Sequence, residues 1–490
     1  MKELFEKLYT QNKESVEKKV ETVIRTDIET EEATKILHLS PSLVLVKKEN
    51  SEKGVKYTAR LSYFIVYIKD GKIKKKECAT EFNGFFESKG VLEDISLELL
   101  KTSTDTYGGD LKILSNLLVK ATFLVENEKP FLTSSEDLIV KTDSLTRTKR
   151  VGFTTKSWEI EEDFDLNFSV EEVLLYNVNY QIKRVNSGVD AIILDGEALL
   201  SLSLLQKVEN SDILKERRVI PFRVELEIEG ALPEMVARAK MENGGVKIEA
   251  LVDENTGKTT VNLKLSVNLY AEAFEEESLS KVIDCFSKTK EIELKKETIF
   301  LTRPLEKREE SLRLNTKCNL EKDLTARLMS VADERFLLLT VEEDGTVNGL
   351  VELTAFLKGE ELESILLTAP ITFKVEKTDK EKLCYINACV ENVYAKPLSL
   401  REVEVDLSLN LNYFLEETYE ETVITSVTEG EVKEEKNNAI SVYIAKKGEE
   451  LFDMAKRLNS SMEDIIKVNK DLEFPLSGDE RIIIYRQERK

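Results

Sequence analysis

The stretch VEVDLSLNLN, residues 403–412, alternates apolar and polar side chains almost without a break. A similar stretch, VNLKLSVNLY, occupies residues 261–270, and a looser version, LKILSNLLVKATFLV, occupies residues 111–125. Strict alternation has the period of a β-strand that buries one face and exposes the other. Three such strands at a wide and nearly constant interval predict a whole domain that is repeated in tandem.

Other segments recur at the same interval. Three strand-like segments, at residues 54–82, 188–205 and 334–357, each contain an Asp-Gly pair, which predicts a tight turn between two strands; these pairs are Asp70-Gly71, Asp195-Gly196 and Asp344-Gly345. Each segment ends at or is followed by a short strand that finishes in phenylalanine, at Phe82, Phe222 and Phe373. We therefore predict a multi-domain, mainly β protein made of tandem antiparallel β-sandwich-like repeats.

The predicted repeats span residues 26–145, 146–300 and 301–425. Residues 1–25 place apolar side chains at spacings that partly fit an amphipathic helix, so we predict an N-terminal helical segment there. Residues 426–438 are rich in glutamate and poor in aromatic residues, which predicts an acidic linker. It leads to a small domain of different character at residues 439–487.

Composition limits the function. The chain of 490 residues carries 93 acidic and 71 basic residues, for a net charge of −22. Such a surface repels nucleic acid and anionic lipid, so we expect neither as a partner. The N-terminal stretch lacks the apolar core of a secretory signal, and no later segment has 18 uncharged apolar residues in a row, so we expect neither export nor membrane insertion.

Catalytic motifs are lacking in the sequence. The single histidine, His38, has no cysteine or aspartate near it in sequence, and its alternating surroundings favour an ordinary strand residue. The five scattered cysteines, of which only Cys384 and Cys389 are close, favour free thiols in a reducing compartment. Without a metal-ligand spacing or a glycine-rich phosphate loop, we expect no enzyme, no metal site and no cofactor.

The last fifty residues predict the order strand, helix, helix, strand. Residues 442–444 form the first strand, and Leu451, Met454, Ala455 and Leu458 fall at helical spacing, with Asn459 closing that helix. A second helix follows, capped by Ser461 with Asp464 three residues later. Residues 482–484 supply the closing strand.

This order resembles the LysM domain. The matching positions are Gly448 with Leu451, Met454-Ala455, Asn469, and Gly478 with Ile482 and Ile484. The resemblance implies a groove between the first strand–helix loop and the loop before the last strand, and the residues that we assign to it are Lys447, Gly448, Glu449, Glu450, Leu451, Asn469, Leu472, Phe474, Pro475 and Leu476.

Glu449 and Glu450 stand where the family has Asp-Thr. Because two more carboxylates, those of Asp471 and Glu473, lie in the second loop, we expect an acidic mouth that faces lysine or arginine side chains of a protein partner. Binding of N-acetylglucosamine chains in peptidoglycan is the alternative that the sequence leaves open.

Tandem β-rich repeats followed by a LysM-like domain resemble the SPOCS-domain spore-coat morphogenesis proteins of clostridia. In the second repeat, the family-like features are Asp195-Gly196, Ile220-Pro221-Phe222, Pro233 and the alternating strand from Val261. The resemblance implies a non-catalytic scaffold at the forespore surface, in the mother-cell cytoplasm and the spore coat. Its implied partners are a SpoIVA-like coat morphogenetic ATPase and other coat proteins.

Overall fold

The fold is mainly β. The computed structural model describes residues 3–27, 35–51, 53–88, 90–107, 110–207, 212–321, 323–324, 326–359, 362–433, 440–470 and 472–485. Three tandem repeats occupy residues 3–135, 139–286 and 290–432, and a small αβ unit follows. The prediction of a multi-domain, mainly β chain is therefore confirmed.

Each repeat consists of two antiparallel sheets. The first repeat contains the strands β1 (Glu3–Asp27), β2 (Lys35–Ser51), β3 (Gly54–Lys69), β4 (Lys72–Glu87), β5 (Val91–Tyr107) and β6 (Asp110–Ser135). The strands β2, β3 and β4 form a meander, and the other sheet has the order β1-β6-β5. The last strand of the repeat thus lies between the first and the fifth strand.

The second repeat follows the same plan. Its strands are β7 (Ile139–Leu166), β8 (Val170–Ser187), β9 (Ala191–Gln206), β10 (Ile213–Glu227), β11 (Val236–Asp253) and β12 (Lys258–Phe286). Its sheets are the meander β8-β9-β10 and the sheet β11-β12-β7. The second repeat therefore has the same strand connectivity as the first, in the same order.

In the third repeat the first long strand is divided in two. Its strands are β13 (Lys290–Pro304), β14 (Arg308–Asn319), β15 (Arg327–Val341), β16 (Thr346–Lys358), β17 (Leu362–Lys374), β18 (Glu381–Ser399) and β19 (Glu402–Val432). Both β13 and β14 pair with β19. In the second repeat, the single long strand β7 takes this position beside β12. Pro304, which cannot donate a ladder hydrogen bond, ends β13 at the break.

The alternating stretches lie in the central strands of their sheets. They fall in β6, β12 and β19. In β12, every second residue from Val261 to Ala273 is at most 3% exposed. Each fully buried aliphatic side chain of this kind contributes about 1.5–3 kcal/mol, so this one face forms much of the core of the second repeat.

The three repeats also share apolar cores that take side chains from each of them. The meanders meet through Phe64 and Val66 of β3, Leu175 and Leu205 of the second repeat, and Phe356 of β16. The long strands of each repeat also pair as a two-stranded ribbon. We call the three ribbons, β1/β6, β7/β12 and β13/β19, the stem. The stem core takes side chains from every ribbon: Leu8, Phe131, Leu145, Leu279, Ile299, Leu301 and Val423. Corresponding elements of all three repeats therefore surround a common centre.

The phenylalanine strands are the third strands of the meanders, β4, β10 and β17. The Asp-Gly pairs at 70–71 and 344–345 do form the predicted turns, and Gly71 and Gly345 have positive φ angles of 70° and 89°. Asp195-Gly196 does not, because it lies inside the continuous strand β9. A Cβ atom on Gly196 would lie 2.6 Å from the Phe222 ring of β10, so this glycine serves close packing and not a turn.

The boundaries predicted from sequence differ from those in the structure. Residues 1–25 were predicted to be helical, but the strand β1 covers residues 3–27. Its pairing with the whole length of β6 outweighs the weak local helical spacing, and its Thr22 and Ile24 alternate inward as strand residues. The predicted acidic linker is strand up to Val432, and its residues 434–438 lie outside the described residues.

The C-terminal unit has the predicted element order. It comprises β20 (Ile440–Ala445), α1 (Leu451–Leu458), α2 (Met462–Val468) and β21 (Glu480–Tyr485), with β20 and β21 antiparallel. No helix in the described part of the chain has the length and apolar character needed to cross a membrane.

Candidate functional site

Local sequence signals determine the geometry of the C-terminal unit, residues 440–485. Asn459 ends α1 in the left-handed conformation, with a φ of 50°, and its N–H donates to the carbonyl of Lys456. The Ser461 hydroxyl accepts a hydrogen bond of 3.1 Å from the backbone N–H of Asp464 and caps α2. Both caps confirm the predictions made from the sequence.

The C-terminal unit is fixed to the end of the stem. The Phe452 ring packs edge-on against the Phe286 ring, with 5.5 Å between centroids. The Lys456 ammonium lies 2.6 Å from the Asp284 carboxylate, and the Asn459 side-chain amide donates to the Lys288 carbonyl at 2.7 Å. An apolar contact surrounded by polar contacts holds the unit in a defined orientation.

The structure brings the two predicted groove loops into direct contact. The Gly448 N–H donates to the Leu476 carbonyl at 2.8 Å, and the Lys447 N–H donates to the Asp479 carboxylate at 3.0 Å. Gly448 has a φ of 81°, which a residue with a side chain rarely adopts. These hydrogen bonds therefore hold the two loops directly against each other.

The predicted groove residues play different parts. Leu476 and Asn469 are buried, and Leu451, Leu472 and Phe474 pack against the core of the unit. Asn469 accepts from the Ile483 N–H at 2.8 Å and donates to the Ile465 and Ile483 carbonyls, so it ties α2 to β21. The most exposed of the predicted groove residues are Lys447, Gly448, Glu450 and Pro475, whereas Glu449 is partly buried.

The two glutamates of the expected acidic mouth are engaged within the chain. Glu449 has a side chain only 11% exposed, and its carboxylate accepts from the Tyr443 hydroxyl at 2.9 Å and pairs with Arg457 at 2.9 Å. Glu450 pairs with Lys141 of β7 at 2.6 Å. Glu449 therefore stabilises the unit, whereas Glu450, whose side chain is 52% exposed, contacts the stem, and the expected contact of the two carboxylates with a partner's cations stays a prediction.

A different surface of the unit is exposed among the residues that the structure describes. Ile440, Val442 and Ile444 of β20 point away from the helices and are 59%, 61% and 68% exposed. Ile483 of β21 lies directly opposite Val442 in the ladder and is 43% exposed. Residues directly opposite in an antiparallel pair share a face. We call these four residues the outer sheet face.

Sequence reasoning missed the outer sheet face, although a signal for it exists. ISVYIA at residues 440–445 and RIIIY at residues 481–485 carry apolar side chains on both faces of the strands. The inner face packs on the helices through Ala445, Ile482 and Ile484. Two apolar faces on a two-stranded sheet with helices on only one side leave the second face exposed to solvent.

His38 lies at a joint between the first and third repeats. Its Nε2 lies 2.8 Å from the Asp333 carboxylate and its Nδ1 lies 3.0 Å from the Thr354 hydroxyl. Because the three residues are far apart in sequence, the sequence alone did not predict this hydroxyl–imidazole–carboxylate arrangement. Thr354 is only 2% exposed, and the three groups connect two repeats.

The described residues contain no group of three or more histidine, cysteine, aspartate or glutamate side chains placed to hold a metal ion. The comparisons of this chain with family models, with curated proteins and with solved structures give no match.

Proposed function

We propose that the chain is a non-catalytic assembly protein that docks on a protein partner through the outer sheet face of its C-terminal unit. The observation that supports this is the exposure of Ile440, Val442, Ile444 and Ile483 together on one small sheet. Contiguous exposed aliphatic side chains are a surface that water solvates poorly and that an apolar surface of another protein covers favourably.

The position of the C-terminal unit suits such a role. Phe286, Asp284 and Lys288 at the end of the stem hold α1 in place. A docking surface that is mounted rigidly loses little conformational freedom when a partner binds. The three repeats act as the body of the scaffold, and they hold the outer sheet face at one end of it.

Protein docking agrees better with this surface than sugar binding does. Saccharide recognition requires hydrogen-bonding groups, whereas the outer sheet face is aliphatic. In the groove that the LysM resemblance implies, Glu449 is already satisfied by Tyr443 and Arg457. The partner that we propose, from the resemblance to SPOCS-domain proteins, is a SpoIVA-like coat morphogenetic ATPase in the spore coat.

A matched pair of variants tests the proposal. Val442→Asp places a charge on the outer sheet face, and Val219→Asp places the same charge on β10, at a valine that is 58% exposed. Binding of each full-length variant to a purified SpoIVA-like ATPase is measured by interferometry. We expect Val442→Asp to weaken binding at least about tenfold, which is 1.4 kcal/mol, and Val219→Asp to leave it unchanged.

Sedimentation of the wild-type chain with purified peptidoglycan is measured in parallel. Saturable binding to peptidoglycan without binding to the ATPase would overturn the proposal in favour of glycan recognition. Equal binding of both valine variants to the ATPase would show that docking uses another surface.

A further inference from the structure

A cavity of ≈ 480 Å³ lies where all three repeats meet. Its volume is within the range of small-molecule sites, which often form at domain boundaries. Its lining includes Ser15, Lys48 and Asp94 of the first repeat, Lys156, Arg238, Lys240, Tyr270 and Glu272 of the second, and Cys384, Tyr385 and Phe414 of the third.

The lining is more positive than the protein. Six of the lining residues are lysine or arginine and four are aspartate or glutamate, so it carries two more positive than negative charges. The whole chain, in contrast, has a net charge of −22. A local excess of positive charge in a concave site attracts anions, because low-dielectric walls concentrate the field there.

Arg238 lines the cavity, and one of its N–H donors has no partner among the described residues. The residue is 8% exposed. Its Nη1 donates to Glu416 at 2.9 Å and its Nη2 donates to the Leu415 carbonyl at 2.7 Å. Its Nε, however, has no hydrogen-bond partner among the residues that the structure describes. The guanidinium thus keeps its positive charge beside the cavity, and a negatively charged ligand is favourable there.

Lys240 lies beside Arg238 on the same strand. Its ammonium lies 2.8 Å from the Asp94 carboxylate and 2.6 Å from the Glu242 carboxylate. Burial alone would lower the pKa of Lys240, but the two carboxylates raise it above its ordinary value, so the side chain is charged at neutral pH. An ammonium has three N–H donors, and two carboxylates leave one of them for a ligand.

We propose that this cavity binds a small anion that carries a carboxylate or a phosphate group. Its oxygen atoms accept from Lys240 Nζ, the Arg238 guanidinium beside it adds positive charge, and the rest of the ligand lies against the Tyr385 and Phe414 rings. Lys48, which is exposed at the mouth, assists entry of the anion. The site is separate from the outer sheet face, so the two proposals stand or fall independently.

The test uses the full-length chain and two probes, citrate and inorganic phosphate, in chloride buffers of equal ionic strength. Titration calorimetry measures binding to the wild type and to two charge reversals. Lys48→Glu changes the mouth of the cavity, and Lys396→Glu changes an equally exposed lysine on β18 that does not line it. We expect Lys48→Glu to weaken binding about tenfold and Lys396→Glu to leave it unchanged.

Cys384 gives a second measurement in the same protein. Cys384 lines the cavity, whereas Cys78, a free thiol of the first repeat, packs in a different core. We expect a bound probe to slow the alkylation of Cys384 by iodoacetamide, as read by mass spectrometry, and to leave the rate at Cys78 unchanged.

Binding of one probe alone identifies which of the two anionic groups the cavity prefers. Two results would overturn the proposal: no binding of either probe at millimolar concentration, or equal binding by the two charge-reversal variants. Slowing of alkylation at both cysteines would show a general effect on the thiols and would contradict a site at the cavity.

Discussion

The Arg217 guanidinium of the second repeat donates to the Glu334 carboxylate of the third repeat at 2.8 Å. Lys215 of β10 also pairs with this carboxylate, and the Glu334 side chain is only 3% exposed. One buried carboxylate therefore holds two cations of the neighbouring repeat. The repeats are joined by specific polar contacts as well as by their shared apolar cores.

Glu334→Gln is expected to destabilise the chain by about 3–5 kcal/mol, because it leaves two partly buried cations without a neutralising charge. The change in unfolding is measured by urea titration with tryptophan fluorescence. The control is Glu343→Gln on an exposed turn two residues after β15, which is expected to change stability by less than about 0.5 kcal/mol. Equal effects of the two variants would show that the ion pairs of Glu334 contribute nothing to the contact between the second and third repeats.

The His38–Asp333 joint predicts a loss of stability in acid. Burial alone would raise the pKa of Asp333, but the charge of Arg335 and the hydrogen bond and charge of His38 outweigh it and hold that pKa well below its ordinary value. A carboxyl whose pKa is lowered in the folded state stabilises the fold above its unfolded pKa of about 4. This contribution is lost as the pH falls below that value.

Melting temperatures of the wild type and of Asp333→Asn, measured from pH 7 to pH 3, test this account. Asp333→Asn is expected to be less stable at pH 7, and the gap between the two proteins is expected to narrow as the pH falls below about 4. Melting curves that remain separated by the same interval at every pH would contradict it.

Gly196→Ala tests the close approach of β9 and β10. The added methyl group would lie 2.6 Å from the Phe222 ring, so we expect a loss of about 1–3 kcal/mol from overpacking. The matched control is Gly188→Ala, whose Cβ would meet its nearest atom at an ordinary 3.5 Å. Thermal melts of both variants measure the difference, and a stable Gly196→Ala protein would rule out this role for the glycine.

Gly196 also shows what sequence reasoning can and cannot give. Asp195-Gly196 has the composition of a tight turn, but the same dipeptide is also compatible with a strand that a bulky neighbour crosses. The neighbour, Phe222, is 26 residues away in sequence, and nothing local to the dipeptide identifies it. Periodicity, in contrast, is local, and the alternating residues from Val261 predicted correctly a strand that buries one of its two faces in the second repeat.

The same reason explains the wrong prediction at the N-terminus and the unpredicted ion pair of Glu450 in the C-terminal unit. Residues 3–27 become a strand because β6, more than 80 residues later, pairs with them. The caps at Asn459 and Ser461 were predictable because their hydrogen-bond partners lie within a few residues. The partner of Glu450, Lys141, is more than 300 residues away, so its charge appeared free when only the sequence was considered.

Glu449 is expected to stabilise the C-terminal unit instead of contacting a partner. Replacing it with glutamine weakens the contacts to Tyr443, Arg457 and the Lys446 N–H, and a lost buried acceptor costs about 1–3 kcal/mol. Glu449→Gln should therefore speed hydrogen exchange in α1 and β20 of the full-length chain. The control is Glu473→Gln, at an exposed glutamate of the second loop, for which we expect exchange rates equal to those of the wild type. If Glu449→Gln exchanged like the control but bound a partner less tightly, the carboxylate would be a docking residue and the assignment made here would be wrong.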